Sequence, residues 1–203
     1  MEALTEPPTG TLRELLFTPP AMPDHYQPVE GELHTYAIAN GAGSEQIHVN
    51  LLVDEPQHRN LFPADVAEEL ESVSPWLIRL IPEEPFTEWL LEHCFGKRLL
   101  LFIQSLHDID TLAAHLRNYT RIEFPDQQGG FQPGFFSFYD PSIFPVWAGS
   151  LNRNEVFKLH DPISNFWYES NPSNQRLSML YASHGKWRRV TYHLTQPKTE
   201  VNG

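Results

Sequence analysis

Gly96-Lys97-Arg98-Leu99-Leu100-Leu101-Phe102-Ile103-Gln104-Ser105 is the stretch whose reading decides the fold. Gly96 ends whatever precedes it, two bases follow, and residues 99–103 are wholly apolar. A short apolar run without polar alternation reads as a strand covered on both faces. Just before it, residues 88–95 predict a helix bearing Trp89, Leu90 and Leu91, with Glu88 and Glu92 at i, i+4. Thr87 is its expected cap and Gly96 its stop, and Lys97 and Arg98 complement the C-terminal dipole. Just after it, Asp108 or Asp110 caps a helix reaching about Tyr119, with Leu112, Leu116 and Tyr119 on one face. A doubly covered strand between two helices is the centre of a layered α and β structure.

Working outward, residues 33–39 predict a strand that ends at Asn40-Gly41-Ala42-Gly43, where glycines permit positive φ. Ser44 then caps a short segment. Residues 63–70 suit a helix with Pro63 in its first turn, and 73–81 a strand with Pro75 near its start. Residues 121–124 and 134–139 predict a hairpin around a turn-rich loop at 125–130. On that reading Phe135, Ser137 and Tyr139 share one face and Phe136 and Phe138 the other. Residues 142–148 and 154–159 look helical. Residues 176–183 and 186–194 flank His184-Gly185, a two-residue hairpin turn. The expected class is α+β: a mixed sheet with packed helices, an aromatic-rich helical C-terminal part and a late β-hairpin. The expected organisation is an extended lead-in at 1–30, an α/β body at 31–170, and a hairpin with a polar tail at 171–203. Within the lead-in, residues 18–28 hold four prolines, and residues 12–17 form a helical turn or a strand.

The 203 residues include 14 Lys+Arg and 26 Asp+Glu, a net charge of −12. Residues 1–92 carry 17 acids and 3 bases, whereas 93–203 carry 9 acids and 11 bases. So acidic a first half excludes phosphate tracking along nucleic acid and attraction to an anionic membrane. A 40% hydrophobic and 12% aromatic content excludes disorder. The acidic N-terminal residues lack the basic start and apolar core of a signal peptide, and no apolar run approaches the ~20 residues that span a bilayer. The single Cys94 cannot form an intramolecular disulfide, which fits a reducing compartment. A cytoplasmic location is expected.

The search for chemistry returns no catalytic residue. Ten histidines include no HExxH, there is no CxxC, and His107 and His115 are eight positions apart, so neither metal nor cofactor is expected. Cys94 and His93 are neighbours in sequence, and neighbours on a helix do not face each other. Gly41 and Gly43 make only a GxG, and no GxSxG occurs. What remains is aromatic density from Phe131 to Trp167. It is accounted for by helices on both sides of a strand or by another protein covering one side. Large aromatics anchor interfaces, which makes Phe135, Trp147 and Trp167 the aromatic candidates for partner contact. Glu68, Glu69 and Glu71 are the acidic ones. Asp140-Pro141, after Tyr139, reads as a strand-to-helix corner, with Asp140 accepting N–H bonds and Pro141 lacking a donor. Trp76, after Pro75, reads as core.

Five segments, in order, resemble the bacterial type VI secretion effector adaptors of the Tap/Tec type. They are Tyr36-Ala37-Ile38-Ala39-Asn40-Gly41-Ala42, Ser74-Pro75-Trp76-Leu77-Ile78-Arg79-Leu80, the opening stretch 96–105, Leu112-Ala113-Ala114-His115-Leu116-Arg117, and Phe136-Ser137-Phe138-Tyr139-Asp140-Pro141-Ser142-Ile143-Phe144. The similarity covers about residues 33–170. Asn40 stands where the family has an acid and Ser137 where it has an arginine. The resemblance implies a non-enzymatic adaptor or chaperone. Such a protein holds a cognate toxic effector in the cytoplasm, through the effector's N-terminal region, and assists its loading on the VgrG spike. An immunity-type or regulatory binding module, or a small His/carboxylate hydrolase, is the alternative.

Overall fold

The computed structural model describes residues 8–18, 31–126, 128–171 and 175–195. Most of the proline-rich lead-in at 18–28 and of the polar tail at 195–203 lies outside the described residues.

Three layers are formed around an eight-stranded sheet. In chain order the strands are β1 (Thr9–Gly10), β2 (His34–Asn40), β3 (His58–Asn60), β4 (Pro75–Leu80), β5 (Leu100–Ser105), β8 (Asn165–Asn171), β9 (Arg176–Ser183) and β10 (Lys186–Leu194). Their spatial order is β1-β10-β9-β8-β5-β2-β4-β3. All neighbours are antiparallel except β1 and β10, which run parallel, so the sheet is mixed. A separate two-stranded ribbon is made by β6 (Arg121–Pro125) and β7 (Phe131–Phe135). With seven α-helices among the described residues this is the α+β class expected from the sequence.

The central strand β5 is buried along its whole length, as its composition demands. Its side chains alternate between two cores. Leu100 and Phe102 face one core together with Ala37, Ala39 and Trp167, while Leu101 and Ile103 face the other with Tyr36, Ile38, Phe166 and Tyr168. Helices α1 (Leu12–Phe17), α2 (Glu45–Asp54) and α4 (Pro85–His93) cover the first core. Helices α5 (Ile109–Arg117), α6 (Phe144–Ser150) and α7 (Arg153–His160) cover the second. Short α3 (Ala64–Ala67) lies by the β3 edge.

Polar groups inside the sheet are paired where elements must be pinned. The Leu16 carbonyl at the end of α1 accepts from Thr35 Oγ1 at 2.7 Å and from Gln104 Nε2 at 2.8 Å. Gln104 Oε1 in turn accepts from the Trp167 indole at 3.2 Å. An unpaired buried amide would cost several times the net value of such a bond, so α1 is docked by necessity.

Several sequence expectations are corrected. Helix α4 starts at Pro85 rather than after Thr87, because proline presets the helical φ at N1 and has no N–H to leave unpaired. Thr87 Oγ1 accepts from Ile81 N instead. The second ribbon strand is Phe131–Phe135, not 134–139: Pro133 is tolerated because a two-stranded ribbon has open edges. The chain then turns, with Asp140 N donating to the Ser137 carbonyl, so Phe136 and Phe138 do not alternate along a strand. Gly41 and Gly43 have ordinary φ. They are glycines for space, because a Cβ would stand 2.4 Å from the Ser74 carbonyl at 41 and 2.3 Å from Leu99 Cδ2 at 43. Helix α2, β3 and β8 are elements the sequence reading does not supply.

Candidate functional site

Cys94, His115 and His160 are enclosed or engaged. Cys94 is buried at the end of α4, and burial pushes its thiol up to about 11. It is therefore a thiol at neutral pH and a weak nucleophile. His115 Nε2 donates to the Leu159 carbonyl at 3.1 Å, and His160 Nε2 to the Ser164 carbonyl at 3.2 Å. Burial lowers both imidazoles below the ordinary histidine range, which keeps them neutral at pH 7. His115 shares a groove of about 550 Å³ with Asp161, but its ring proton is aimed at the carbonyl. Among the described residues no three His, Cys, Asp or Glu side chains could hold a metal ion. Among the described residues no helix is long and apolar enough to cross a membrane.

The surface is more informative, and Arg121 is its centre. At the start of β6 its guanidinium donates to Asp65 of α3 at 2.7 Å. It also lies 6.0 Å from the centroid of Phe135, its cross-strand partner in β7. Phe135 packs at a tilt against Phe62, ring centroids 4.6 Å apart. The ribbon is thereby held against the segment that runs into Glu68, Glu69 and Glu71, all of them exposed. The ribbon itself offers apolar surface, with Phe131 70% exposed and Phe124 and Phe135 each near two-fifths.

On its other side Arg121 lines a groove of about 210 Å³ with Tyr119, Phe136, Trp147, Glu155 and Lys158. Trp147 is half-buried there, at the hub of a ring cluster. Tyr119 lies 5.8 Å away and Phe136 5.6 Å away, both edge-to-face as aromatic quadrupoles favour, and Phe138 lies 5.6 Å away at a tilt. The sequence-predicted acids and Phe135 are thus brought to neighbouring elements, and Trp147 lies across Arg121 from them.

Trp167 does not join this surface. It is 0% exposed in β8, between Gln104 and Tyr192, so it is a core residue and the expectation of partner contact is corrected. Trp76 is buried, with His48 stacked on one side and His58 edge-on at 5.2 Å. Tyr139 and Pro141 are buried, and Asp140 Oδ1 accepts from Ser142 N at 2.7 Å in the turn that leads to α6. Sequence reasoning missed Arg121, Asp65 and Phe62. Their meeting depends on the β6–β7 register, which the sequence misplaces by several residues.

A family model described as Domain of unknown function (DUF4123) matches residues 35–158. The chain belongs to the DUF4123 family. No curated protein and no solved structure matches it. The DUF4123 region runs from β2 almost to the end of α7. It contains Arg121, Phe135, Trp147 and the acidic segment, and it leaves β8–β10 outside. The exposed surface described above is therefore built entirely from DUF4123 residues.

Proposed function

We propose that this chain is a non-enzymatic adaptor: in the cytoplasm it binds a cognate toxic type VI secretion effector, through the effector's N-terminal region, and assists its loading on the VgrG spike. One observation carries the reading. The DUF4123 match, a family associated with type VI effector adaptors, covers residues 35–158, and all five adaptor-like segments fall inside it. The surface around Arg121 supports it, because exposed aromatics beside Glu68, Glu69 and Glu71, which form no ion pair among the described residues, suit protein recognition better than small-molecule chemistry.

Co-expression with the toxin encoded beside this gene tests the proposal. The expected result is a co-purifying complex and a more soluble effector whose active domain keeps its toxicity. Absence of both complex and solubility change overturns it. Loss of toxicity on binding indicates an immunity protein instead. Charge reversal of Glu68, Glu69 and Glu71 is expected to weaken the complex and flatten its salt dependence without unfolding the adaptor.

A further inference from the structure

Helix α2 is apolar on two opposite sides but covered on one. At 100° per residue, Ile47 and Leu51 point one way and Val49, Leu52 and Val53 the other. Ile47 and Leu51 are fully buried against the first core. Val49, Leu52 and Val53 are 55%, 61% and 72% exposed. A helix that is apolar all round is ordinarily buried all round, so this outer row at i, i+3, i+4 is an uncovered contact surface. Val73, on the 3-10 turn Glu71–Val73 that packs beside α2, adds a further partly exposed apolar side chain.

The charge around this row says what covers it. Glu45 lies on the same outer face, Asp54 and Glu55 follow the last turn, and Glu71 lies on the adjacent 3-10 turn. Arg59 is the lone Lys or Arg from residue 31 to residue 78, and Asp110 holds it. None of these four acids takes part in an ion pair among the described residues. A second copy of this chain would set these acids against themselves, which disfavours self-association. A basic partner meets both features at once.

We infer that the outer face of α2 docks an amphipathic helix of a partner, with apolar residues at i, i+3, i+4 seated on Val49, Leu52 and Val53 and with Lys or Arg residues facing Glu45, Asp54, Glu55 and Glu71. This rests on the adaptor reading in taking that partner helix to belong to the effector. It is recognition of one helix face by another, with apolar anchors giving affinity and the acidic rim giving selection and steering.

The test uses the full chain and two probes. The first is a fluorescent Leu/Lys peptide with leucines at helical spacing, titrated by anisotropy at low and high salt. The expected result is saturable binding that weakens at least ~10-fold in the double variant Leu52→Ser, Val53→Ser and in the double variant Glu45→Lys, Glu55→Lys. A peptide of the same composition with scrambled leucine spacing is expected not to bind. No saturable binding, or binding by either variant as tight as by the wild type, overturns the inference. So does a wild-type dimer in sedimentation that the Leu52→Ser, Val53→Ser variant dissociates. The second probe is the neighbour-encoded effector. If the wild type captures it and both α2 variants capture it equally, α2 is the wrong face and the adaptor reading stands. If the wild type captures nothing while the peptide binds as expected, the adaptor reading fails and the α2 surface stands.

Discussion

Arg121 donates to Asp65 at 2.7 Å, and this pair fastens the β6–β7 ribbon to α3. The ribbon has only two strands and little burial, and such ribbons are marginal without outside support. Arg121→Ala is therefore expected to loosen the ribbon selectively. Hydrogen exchange across β6 and β7 should speed up while the main sheet stays protected. The melting temperature should move little, because both partners are substantially exposed and their attraction is screened. The Arg121 hydrogen bond holds the Asp65 carboxyl below its ordinary value. The tether is therefore present above the usual aspartate range and is lost as pH falls through that lowered value.

Two glycine-to-alanine changes should act in opposite directions. At Gly41 a Cβ would stand 2.4 Å from the Ser74 carbonyl, which also accepts the Gly41 N–H at 3.1 Å. Backbone cannot rotate away as a side chain can, so Gly41→Ala should cost about 1–3 kcal/mol. At Gly149, in α6, nothing lies within 4 Å of an added Cβ and φ is ordinary. Gly149→Ala should stabilise by about 0.5–1 kcal/mol. Urea midpoints of the two variants against wild type check both signs.

Glu169 is a buried carboxylate in β8 whose Oε1 accepts from Gly96 N at 3.0 Å. Burial raises its pKa, against the pull of the Gly96 and Arg98 backbone N–H groups and the Arg98 charge. With the folded value above the unfolded one, its contribution is full below the ordinary glutamate range and is lost as pH rises through the raised value. Glu169→Gln keeps an acceptor for Gly96 and removes the buried charge. It should raise the melting temperature at pH 7–8 and leave it near wild type at about pH 4.

Cys94 should be silent in the native protein. With its thiol pushed up to about 11 and the side chain buried, labelling by a thiol reagent at pH 8 should be slow, then become fast and stoichiometric in denaturant. Rapid native labelling would show that the α4 end opens without global unfolding.

The readable parts of the fold are those where local chemistry and burial agree. His184-Gly185 was legible because a primed two-residue turn needs positive φ twice, and both residues have it, at 54° and 72°. The β5 strand was legible because burial on both faces leaves no polar alternation. Helix α2 was not legible, because its outer valines and leucine blur the period that marks an amphipathic helix. The same residues carry its proposed docking role, so the obscurity and the interest have one cause. Strand β8 was hidden by its composition, since the aromatic density that made Trp167 a candidate for partner contact has no polar alternation, and Phe166, Trp167 and Tyr168 face two cores in alternation. The site was half visible. Exposure of Glu68, Glu69 and Glu71 follows from their charge, whereas the Arg121 junction is a product of pairing register.

Strand β1 adjoins β10 at one margin of the sheet, and β3 forms the opposite margin. Seven interstrand spacings separate them, roughly 30 Å. Thr9 and Leu194 therefore lie at a single margin, and the ribbon, α3 and the acidic turn sit at the far one. A dye attached at Thr9 or Thr195 is therefore expected to stand far from the proposed contact surface.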